Sequence, residues 1–340
     1  MLKWCIFLFG IVGTTTALDS QDCHKSIHPP TVCKYMSQFN KTYSDHTELK
    51  LRAHHIMAIP QYIKDDVEFG YTSRSDRFKH ELKRNNVIRR PKIRQNIARH
   101  PKNQHKQLTG GVTRLPPIDW RDIDGVSFVT DVKNQGECGC CFAFAAAAVL
   151  EYWSKKHGNP KSLSVQHLMD CTSTSAGQND GCDGGLMEYI FEYGSGHSIV
   201  LDSRYPFAKR ESTCPNVQLL SHVEVSNWKV LERENDSNAE QQLEKILHKY
   251  GPVSVGVDST AWDNYQKGIF KHSMCSQDID HAVTIVGYTN KAWIVKNSWG
   301  TDWGDNGYIY LEKGHNTCGV AEYIAYITNA YPIIANRPSI

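Results

Sequence analysis

The chain has 340 residues, of which 40% are hydrophobic, and this is enough for a large core and about two domains. No segment reaches 18 uninterrupted apolar residues, which excludes a transmembrane helix and predicts a protein that is soluble after processing. The net charge of +2 hides an asymmetry, because residues 1–114 carry +11 and residues 115–340 carry −9. These opposite charges favour docking of one half on the other.

The N-terminus is typical of a secretory signal peptide over residues 1–17. Lys3 is followed by an apolar stretch at 4–12 that is too short to span a bilayer, and small residues at 15–17 offer a cleavage site before Leu18. The alternative is a buried N-terminal strand. The positive flank and the small residues favour the signal peptide.

The next hundred residues divide into two parts. Residues 34–83 are rich in charge and show apolar residues at helical spacing, namely Leu49, Ile56, Ile59 and Ile63. Residues 84–114 are basic, contain prolines and a Gly-Gly pair, and have no sustained period, which predicts an accessible linker. The basic run at 89–94 leaves nucleic-acid binding open as an alternative, but this run lies where proteolytic processing is expected.

From Leu115 the chain has the pattern of a compact domain in which helices precede strands. Helices are predicted at 141–157, at 164–171 with Ser164 as N-cap, at 185–193, and from a capping box at 237–240 to about 250. Short β-rich runs follow at 253–257, 282–288, 293–295, 308–311 and 323–327. This order predicts an α+β domain of two halves with a cleft between them.

Eleven cysteines fit an oxidising compartment. Cys5 lies in the signal peptide, Cys23 and Cys33 lie in the basic half, and eight remain in residues 115–340. Three cysteines cluster at 138–141, which makes zinc binding an alternative. We expect no metal site, because no second cluster has the usual ligand spacing.

The candidate chemistry lies where the Ala-rich helix begins. A thiol at a helix N-terminus has a lowered pKa, and Cys141 occupies that place. Gln135 carries an amide that could join the helix N–H groups in binding an oxyanion. A nucleophile needs a base and a group that orients the base, and His281 and Asn297 are the candidates for these two roles.

These residues resemble the papain family of cysteine peptidases, and in particular its cathepsin L-like branch. The similarity covers nearly all of residues 115–340. The matching motifs are Asp119-Trp120-Arg121, the segment 135–144, Asp170-Cys171, Gly181-Cys182-Asp183-Gly184-Gly185 and Asn297-Ser298-Trp299-Gly300. The resemblance implies a helical lobe and a β-barrel lobe with the active site in the groove between them.

The resemblance also implies the disulfides Cys138–Cys182, Cys171–Cys214 and Cys275–Cys318, and it makes Cys141 the nucleophile. Cys140 and Phe142 depart from the family, which usually has Ser or Ala and then Trp at these positions. They leave a second interpretation, a catalytically weak homologue that binds peptides or inhibitors.

Other site residues follow from the same resemblance. Gly184 and Gly185 should pair with extended substrate backbone, Trp299 should shield the bond between His281 and Asn297 from water, and Asp280 is included among the substrate-binding residues. The main specificity pocket should have Met187 in its wall and Tyr323 as its floor. A register slip of one residue would instead place Glu322 in the pocket, and a third arrangement points Tyr323 into the barrel.

Residues 18–114 resemble the inhibitory propeptide of this family, with 115–340 as the peptidase domain. Glu48, Arg52 and Ile63 fit its helical motif, whereas Ile59 and Val67 depart from it. Gly70, Ser75 and Asp76 fit the short motif that follows, in which Thr72 and Arg74 replace the expected Asn and Phe. Acid should weaken the docking of this basic segment by protonating carboxylates.

Together these features predict an endopeptidase synthesised as a zymogen, without cofactor or metal. The expected partners are protein and peptide substrates and the chain's own propeptide, with no nucleic acid and no membrane after signal removal. We expect a monomer in the secretory pathway, either lysosomal or extracellular. Exopeptidase members of the family carry an added His-rich loop, which is absent between Cys182 and Cys214. Asn40 and Asn235 begin glycosylation motifs.

Overall fold

A computed structural model describes residues 17–25, 28–78, 81, 115–173, 178–215, 223–232 and 237–331. Most of the predicted signal peptide, the linker at 84–114 and Asn235 lie outside these residues, whereas Asn40 is described and exposed. The chain divides into two compact units. The first comprises residues 1–60 and 75–77, and the second comprises residues 61–74 and 78–340.

The first unit contains three helices, α1 (Ser20–Lys25), α2 (Pro30–Gln38) and α3 (His46–Met57). Asp45 caps α3 by accepting hydrogen bonds from the backbone of Thr47 and Glu48. A disulfide joins Cys23 in α1 to Cys33 in α2, which resolves the pairing that the sequence left open. The covalent link stabilises a unit whose own core is small.

Asp76 organises this first unit, and its side chain is almost fully buried. Its carboxylate accepts hydrogen bonds from the hydroxyls of Tyr35 (2.9 Å) and Tyr43 (3.1 Å) and pairs with Lys41 Nζ at 2.9 Å. Arg52, which also pairs with Glu48, donates to the Asp76 carbonyl at 2.9 Å. A buried carboxylate needs such partners, which gives a physical reason for an Asp at this position.

The helical prediction for residues 34–83 is wrong over residues 58–78. Residues 62–69 form a hairpin of β1 (Tyr62–Lys64) and β2 (Val67–Phe69), with Asp65 and Asp66 at positive φ in its turn. Pro60 interrupts the helical pattern, and two residues with φ above zero suit a two-residue hairpin. Ile63, expected on a helix face, is exposed in β1.

The hairpin belongs to the second unit. Strand β2 pairs antiparallel with β6 (Tyr265–Lys267), and Val67 is fully buried there. Phe69 meets Phe270 edge-on, with ring centroids 6.2 Å apart. Segment 61–74 is therefore held by strand pairing as well as by side chains.

The helical half of the second unit contains α4 (Cys141–Lys156), α5 (Val165–Thr172) and α6 (Met187–Tyr193), with a 3₁₀ turn at Gly181–Asp183. The side chain of Ser164 accepts a hydrogen bond from His167 N at 2.9 Å, so the predicted N-cap is confirmed. Disulfides Cys138–Cys182 and Cys171–Cys214 brace this half and match the pairing that the resemblance implied.

The other half is an antiparallel-rich sheet of eight strands. Its strands are β3 (Ile118–Asp119), β4 (Glu224–Glu232), β5 (Val253–Val257), β7 (Ile269–Phe270), β8 (His281–Tyr288), β9 (Ala292–Lys296), β10 (Tyr308–Glu312) and β11 (Tyr323–Tyr331). Their order in the sheet is β4-β11-β5-β8-β9-β10-β7, with β3 paired to β8. Short 3₁₀ turns lie at His272–Met274 and Thr317–Gly319, and disulfide Cys275–Cys318 joins them.

All five predicted strands are present, and within residues 115–331 the sequence missed β3, β4, β6 and β7. Helix α7 (Ala239–Tyr250) is also present, but the predicted capping box is wrong. Its N-cap is Asn238, and no side chain caps it. Glu240 instead accepts hydrogen bonds from Gly314 N and from Asn316 N at 3.0 Å. The carboxylate thus holds a distant loop rather than its own helix end.

Buried ions join the two halves behind α4. Glu151 in α4 accepts from Lys133 Nζ at 2.5 Å and from Leu163 N at 2.8 Å, and Thr130 also donates to it. Lys296, at the end of β9, donates to the Thr130 hydroxyl at 3.1 Å. This network fixes the start of the segment that follows β9 relative to α4. In the part of the chain that the structure describes, no helix is long and apolar enough to cross a membrane.

Candidate active site

Cys141 is the first residue of α4 and is fully buried. The Ala-rich sequence after it favours helix, and Ala143 N already donates to the Cys140 carbonyl at 2.9 Å. The first N–H groups of a helix lack intrahelical acceptors and carry the positive end of the dipole. The position suits both a thiolate and a developing oxyanion.

Strand β8 brings His281 beside this thiol. Ala282 N, one residue further along β8, donates to Cys141 Sγ at 3.4 Å, and the hydroxyl of Thr284 donates to Ala145 O at 3.2 Å. These contacts join β8 to the first turns of α4. The predicted nucleophile and base, 140 residues apart in sequence, therefore lie on adjoining elements.

The hydrogen bonds of Asn297 determine which nitrogen of His281 carries the proton. Asn297 Oδ1 accepts from Ser298 N at 2.8 Å and lies 2.8 Å from His281 Nε2. A backbone N–H can only donate, so the contacted atom is the amide oxygen and Nε2 must also donate to it. The lone pair of a neutral His281 is then on Nδ1, which has no hydrogen-bond partner among the described residues. Nδ1 is the nitrogen that can take a proton from a thiol.

Trp299 covers the pair formed by His281 and Asn297. Its ring stacks on the imidazole, with centroids 5.0 Å apart and planes 28° apart, and all three side chains are almost completely buried. Burial lowers the pKa of His281 to about 3; the Asn297 bond opposes this shift and Arg74 adds to it. In this state the imidazole is neutral at every pH well above that value.

Gln135 is held with its amide nitrogen toward the helix start. Its Oε1 accepts from Ser298 Oγ at 2.5 Å, and its Nε2 donates to Cys138 O at 3.0 Å. A carboxamide nitrogen has two hydrogens and can donate to two acceptors. The backbone of Gln135 also donates to Ser298 O at 2.8 Å, which ties this loop to the residue next to Asn297.

The residues expected to bind substrate lie on both halves. Gly184 has φ of 113° and ψ of 178°, and a Cβ at Gly185 would lie only 2.2 Å from Asn179 Oδ1. Both positions therefore require glycine, one for its backbone conformation and one for space. Met187 is fully buried in the same cluster as Tyr323.

The register of β11 separates Tyr323 from its neighbours. Tyr323 packs in the cluster of the helical half and its hydroxyl donates to Glu188, whereas Ile324 packs in the core of the sheet half. Glu322 accepts from Asn316 Nδ2 at 3.2 Å. Tyr323 therefore does not point into the barrel core. Glu322 contacts the loop that contains Asn316.

Asp280 differs from the other expected binding residues, because its carboxylate is engaged within the protein. Its Oδ1 accepts from Ser259 N at 2.8 Å and from Ser259 Oγ at 3.0 Å. Burial raises the pKa of Asp280 to about 7, against the hydrogen bonds from Ser259, and the nearby charges of Asp258 and Asp263 add to the rise. Three carboxyl groups thus lie near one another, and one of them directly precedes His281 in the chain.

Cys140 and Phe142, the two departures from the family pattern, are both fully buried. Burial raises the pKa of the Cys140 thiol well above its ordinary value, and the neighbouring Cys141 adds to this effect. Cys140 is therefore a neutral thiol within the core. Neither Cys140 nor Cys141 is in a disulfide. Among the described residues, no group of His, Cys, Asp and Glu is arranged to hold a metal ion.

Sequence reasoning missed several side chains of this region. Ser298 belongs to the motif at 297–300, but the motif does not indicate that its hydroxyl orients Gln135. Glu188 gives no signal in the sequence, because its contact with Tyr323 joins residues 135 positions apart. Arg74 departs from the propeptide motif, but nothing in the sequence indicates its ion pair with Asp263 at 2.9 Å.

Comparison with known proteins agrees with this geometry. Residues 116–328 match the family described as papain family cysteine protease. The chain belongs to the papain family. The predicted papain-like α+β fold, with a helical lobe and a sheet lobe, is thereby confirmed, and its candidate residues lie where the two lobes meet.

Relatives within this family include cathepsin L-like proteins. The chain is 36% identical over 259 residues to a protein of Oryza sativa subsp. japonica named cysteine endopeptidase RepA, covering 67% of this chain and 64% of that protein. It is 40% identical over 220 residues to a Caenorhabditis elegans protein named cathepsin L-like, covering 62% and 63%. The matches thus span somewhat less than two thirds of these relatives.

Among solved structures, the chain is similar to digestive procathepsin L 3 of the Tenebrio molitor larval midgut. The TM-score is 0.73 with 26% sequence identity, and the match covers 89% of this chain and 100% of that one. A structure of the mite allergens Blo t 1 and Der p 1 matches with a TM-score of 0.74 and 28% identity, covering 87% and 98%.

Proposed function

We propose that the protein is a cysteine endopeptidase of the cathepsin L-like kind that is synthesised as a zymogen. Residues 1–17 act as the signal peptide, 18–114 as the inhibitory propeptide and 115–340 as the peptidase domain. The observation that carries the proposal is the pair of hydrogen bonds to Asn297 Oδ1, which leaves the basic nitrogen of His281 available beside Cys141. Matching family relatives named as cysteine endopeptidases support the same reaction.

The reaction follows from these atoms. His281 Nδ1 takes the thiol proton, and Cys141 Sγ attacks the carbonyl carbon of the scissile peptide bond. Cys141 N–H and Gln135 Nε2–H stabilise the oxyanion. His281 then gives its proton to the leaving amine, which departs and leaves a thioester on Cys141. Water, deprotonated by Nδ1, hydrolyses the thioester, and Asn297 keeps the ring oriented throughout.

Substrate backbone pairs with Gly184 and Gly185, and the side chain before the scissile residue enters a pocket between Met187 and Tyr323. The Tyr323 hydroxyl bonded to Glu188 closes the far end of this pocket. A pocket shortened in this way favours Val or Leu over Phe, because a large aromatic ring would have to displace buried atoms. Asp280 contributes by fixing the backbone at Ser259 rather than by direct contact, since Ser259 donates to its carboxyl group.

The propeptide inhibits the enzyme in the precursor. Segment 61–74 is paired with β6, and Thr72 and Gly70 bond to the backbone of Asp263 (2.7 Å) and Asn264 (2.9 Å). Arg74 lies over Trp299, whose ring stacks on His281. Because this propeptide side chain lies against the ring beside the catalytic base, it blocks substrate from this side of the site, and the precursor is latent.

Maturation is expected near pH 4–5, where carboxylates with ordinary pKa values become protonated. The direction of this pH dependence follows from ion pairs such as that between Arg74 and Asp263. A carboxylate that pairs with a cation of the propeptide holds it most strongly when ionised, so docking of the propeptide weakens as the pH falls. We expect a monomer that acts in the secretory pathway, in lysosomes or outside the cell, where the four disulfides are stable.

The deciding experiment is labelling with an epoxysuccinyl inhibitor after acid activation, combined with turnover of a peptide reporter. Labelling at Cys141 together with turnover supports the peptidase, whereas binding of peptides with neither labelling nor turnover supports the weak homologue. Products from a protein substrate should be internal fragments, and release of dipeptides alone would contradict endopeptidase action. Equal maturation rates at pH 7.5 and pH 4.5 in fixed salt would contradict activation by acid.

A further inference from the structure

The guanidinium of Arg74 occupies a defined cation site beside the catalytic residues. Its Cζ lies 3.7 Å from the ring centroid of Trp299, and its Nε donates to Asp263 Oδ1 at 2.9 Å. The Arg74 side chain is only 7% exposed and that of Asp263 is 20% exposed. An aromatic face and a carboxylate at right distances for one guanidinium form a recognisable receptor for that group.

The receptor belongs to the peptidase domain, whereas Arg74 belongs to the segment that maturation removes. Asp263 follows Trp262, whose ring is 6.4 Å from both His281 and Trp299. Removal of residues 18–114 therefore takes away the cation and leaves the Trp299 face and the Asp263 carboxylate in place. The site then needs another positively charged occupant to recover the interaction.

The surrounding charge favours such an occupant. Asp258, Asp263 and Asp280 lie close together, and the first and last of these have local donors. Asp258 accepts from the backbone and hydroxyl groups of Thr260 and Ser276, and Asp280 accepts from Ser259. Asp258 and Asp263 therefore attract a cation at this site, and Asp280 adds to the attraction where it is ionised, above its raised pKa of about 7.

The position of the site identifies the part of a substrate that reaches it. His281 must protonate the leaving amine, so the residues attached to that amine pass alongside its ring. Trp299 stacks on that ring. The acyl side of the substrate lies along Gly184 and Gly185 in the helical half. The cation site is consequently on the leaving-group side.

We propose that Asp263, with the face of Trp299, selects substrates that carry arginine within the first two residues after the scissile bond. This inference rests on the proposed function and adds to it a substrate class that is chosen on the leaving-group side. Arg74 is then an internal imitation of such a substrate side chain, bound in the precursor at the place where the substrate will bind later.

The test compares quenched-fluorescence peptides that are identical except at the first or second residue after the scissile bond, which is Arg, citrulline, Leu or Glu. Citrulline keeps the shape of Arg but lacks its charge. Activated wild-type enzyme should favour Arg over citrulline in kcat/KM by about tenfold at one of these positions, as a charge-assisted bond plus a cation–π contact would give.

Asp263→Asn keeps the shape of the carboxylate and should reduce that ratio to about twofold or less, since only the aromatic contact remains. Asp124→Asn, which removes an exposed carboxylate elsewhere in the same domain, should leave the ratio unchanged. A short coumarin substrate without leaving-side residues should be cleaved equally by all three enzymes, which verifies folding and the proposed activity. Suppose that all three enzymes cleave this reporter equally. If the wild type then shows no preference for Arg, or if the preference survives in Asp263→Asn, the cation site is wrong while the proposed peptidase activity stands.

A binding measurement keeps the inference testable if no peptide is turned over, an outcome that would instead contradict the proposed function. A synthetic peptide of residues 61–74 ending in Arg or in citrulline is titrated against the activated protein, and tryptophan fluorescence is followed. The Arg peptide should bind about tenfold more tightly to the wild type, with little difference for Asp263→Asn. Equal binding of both peptides to the wild type would contradict a cation site.

Discussion

Deleting the Ser298 hydroxyl should impair oxyanion binding without touching the nucleophile or the base. Ser298 Oγ is the donor that holds Gln135 Oε1 at 2.5 Å, and both side chains are nearly or fully buried. In Ser298→Ala the amide oxygen loses this donor, and the loss of a hydrogen bond at a buried acceptor costs about 1–3 kcal/mol. Part of that cost can be relieved by rotating the amide, which would turn Nε2 away from the oxyanion.

The expected loss of activity in Ser298→Ala is smaller than the loss caused by removing the oxyanion donor entirely. Deleting one oxyanion donor lowers kcat by about 10²–10³. A Gln135 that is present but poorly oriented should lose about tenfold in kcat/KM, which corresponds to about 1.4 kcal/mol. The peptide N–H of Ser298 still donates to Asn297 Oδ1 in the variant, so the orientation of His281 should be unchanged.

Two assays on activated enzyme separate this effect from a general defect. The rate of peptide hydrolysis, normalised by active-site titration, should fall about tenfold because the Gln135 amide is poorly oriented. Alkylation of Cys141 by iodoacetamide passes through no oxyanion and should stay within about twofold. Ser127→Ala, which removes a half-buried hydroxyl bonded to Val129 O, is the matched control. Hydrolysis that is unchanged, or alkylation that falls as far as hydrolysis, would refute the reasoning.

Cys141→Ala should abolish turnover, whereas Cys140→Ser should keep it, because the Cys140 thiol is neutral and buried; the opposite pattern in kcat assays would reverse the assignment. Tyr323→Ala should shift preference from Val or Leu toward Phe by roughly tenfold in kcat/KM, and a preference that stays the same would remove Tyr323 from the pocket. Glu151→Gln should destabilise the protein by about 3 kcal/mol at pH 7 in thermal unfolding, because two lysines lose their buried partner. Burial raises the pKa of Glu151, but the two lysines lower it by more, and the net shift takes it below the ordinary value of 4.5. The stabilisation from this ionised carboxylate is therefore present above pH 4.5 and is lost as the pH falls further. The stabilities of variant and wild type should converge in acid solution, and a difference that stays constant with pH would contradict the charge argument.

Local pattern predicted most of the helices and strands in residues 115–331. The Ala-rich run after Cys141, the cap at Ser164 and the β-branched runs of the second half each reflect interactions between near neighbours in sequence. Errors arose where distant contacts decide. Glu240 has the spacing of a capping box, yet it bonds to Gly314 and Asn316, more than 70 residues away.

The helical prediction for residues 58–78 failed for a different reason. Apolar residues at 49, 56, 59 and 63 have helical spacing, but Pro60 lies within this run and β2 finds a partner strand in β6, nearly 200 residues later. Pairing with a remote strand contributes no periodic signal to the segment itself. Short strands such as β6 and β7 were missed for the same reason.

For the active site, sequence order alone indicated the residue types and their roles, because a Cys at a helix start, a His and an Asn in order are a recognisable set. Tertiary structure decided which atoms face one another. The proton on Nε2 of His281 follows from Ser298 N at Asn297, the direction of the Gln135 amide follows from the Ser298 hydroxyl, and the cation site follows from Asp263 beside Trp299. Each of these depends on hydrogen-bond direction or on side chains brought together by the sheet, and such geometry is set by packing rather than by spacing along the chain.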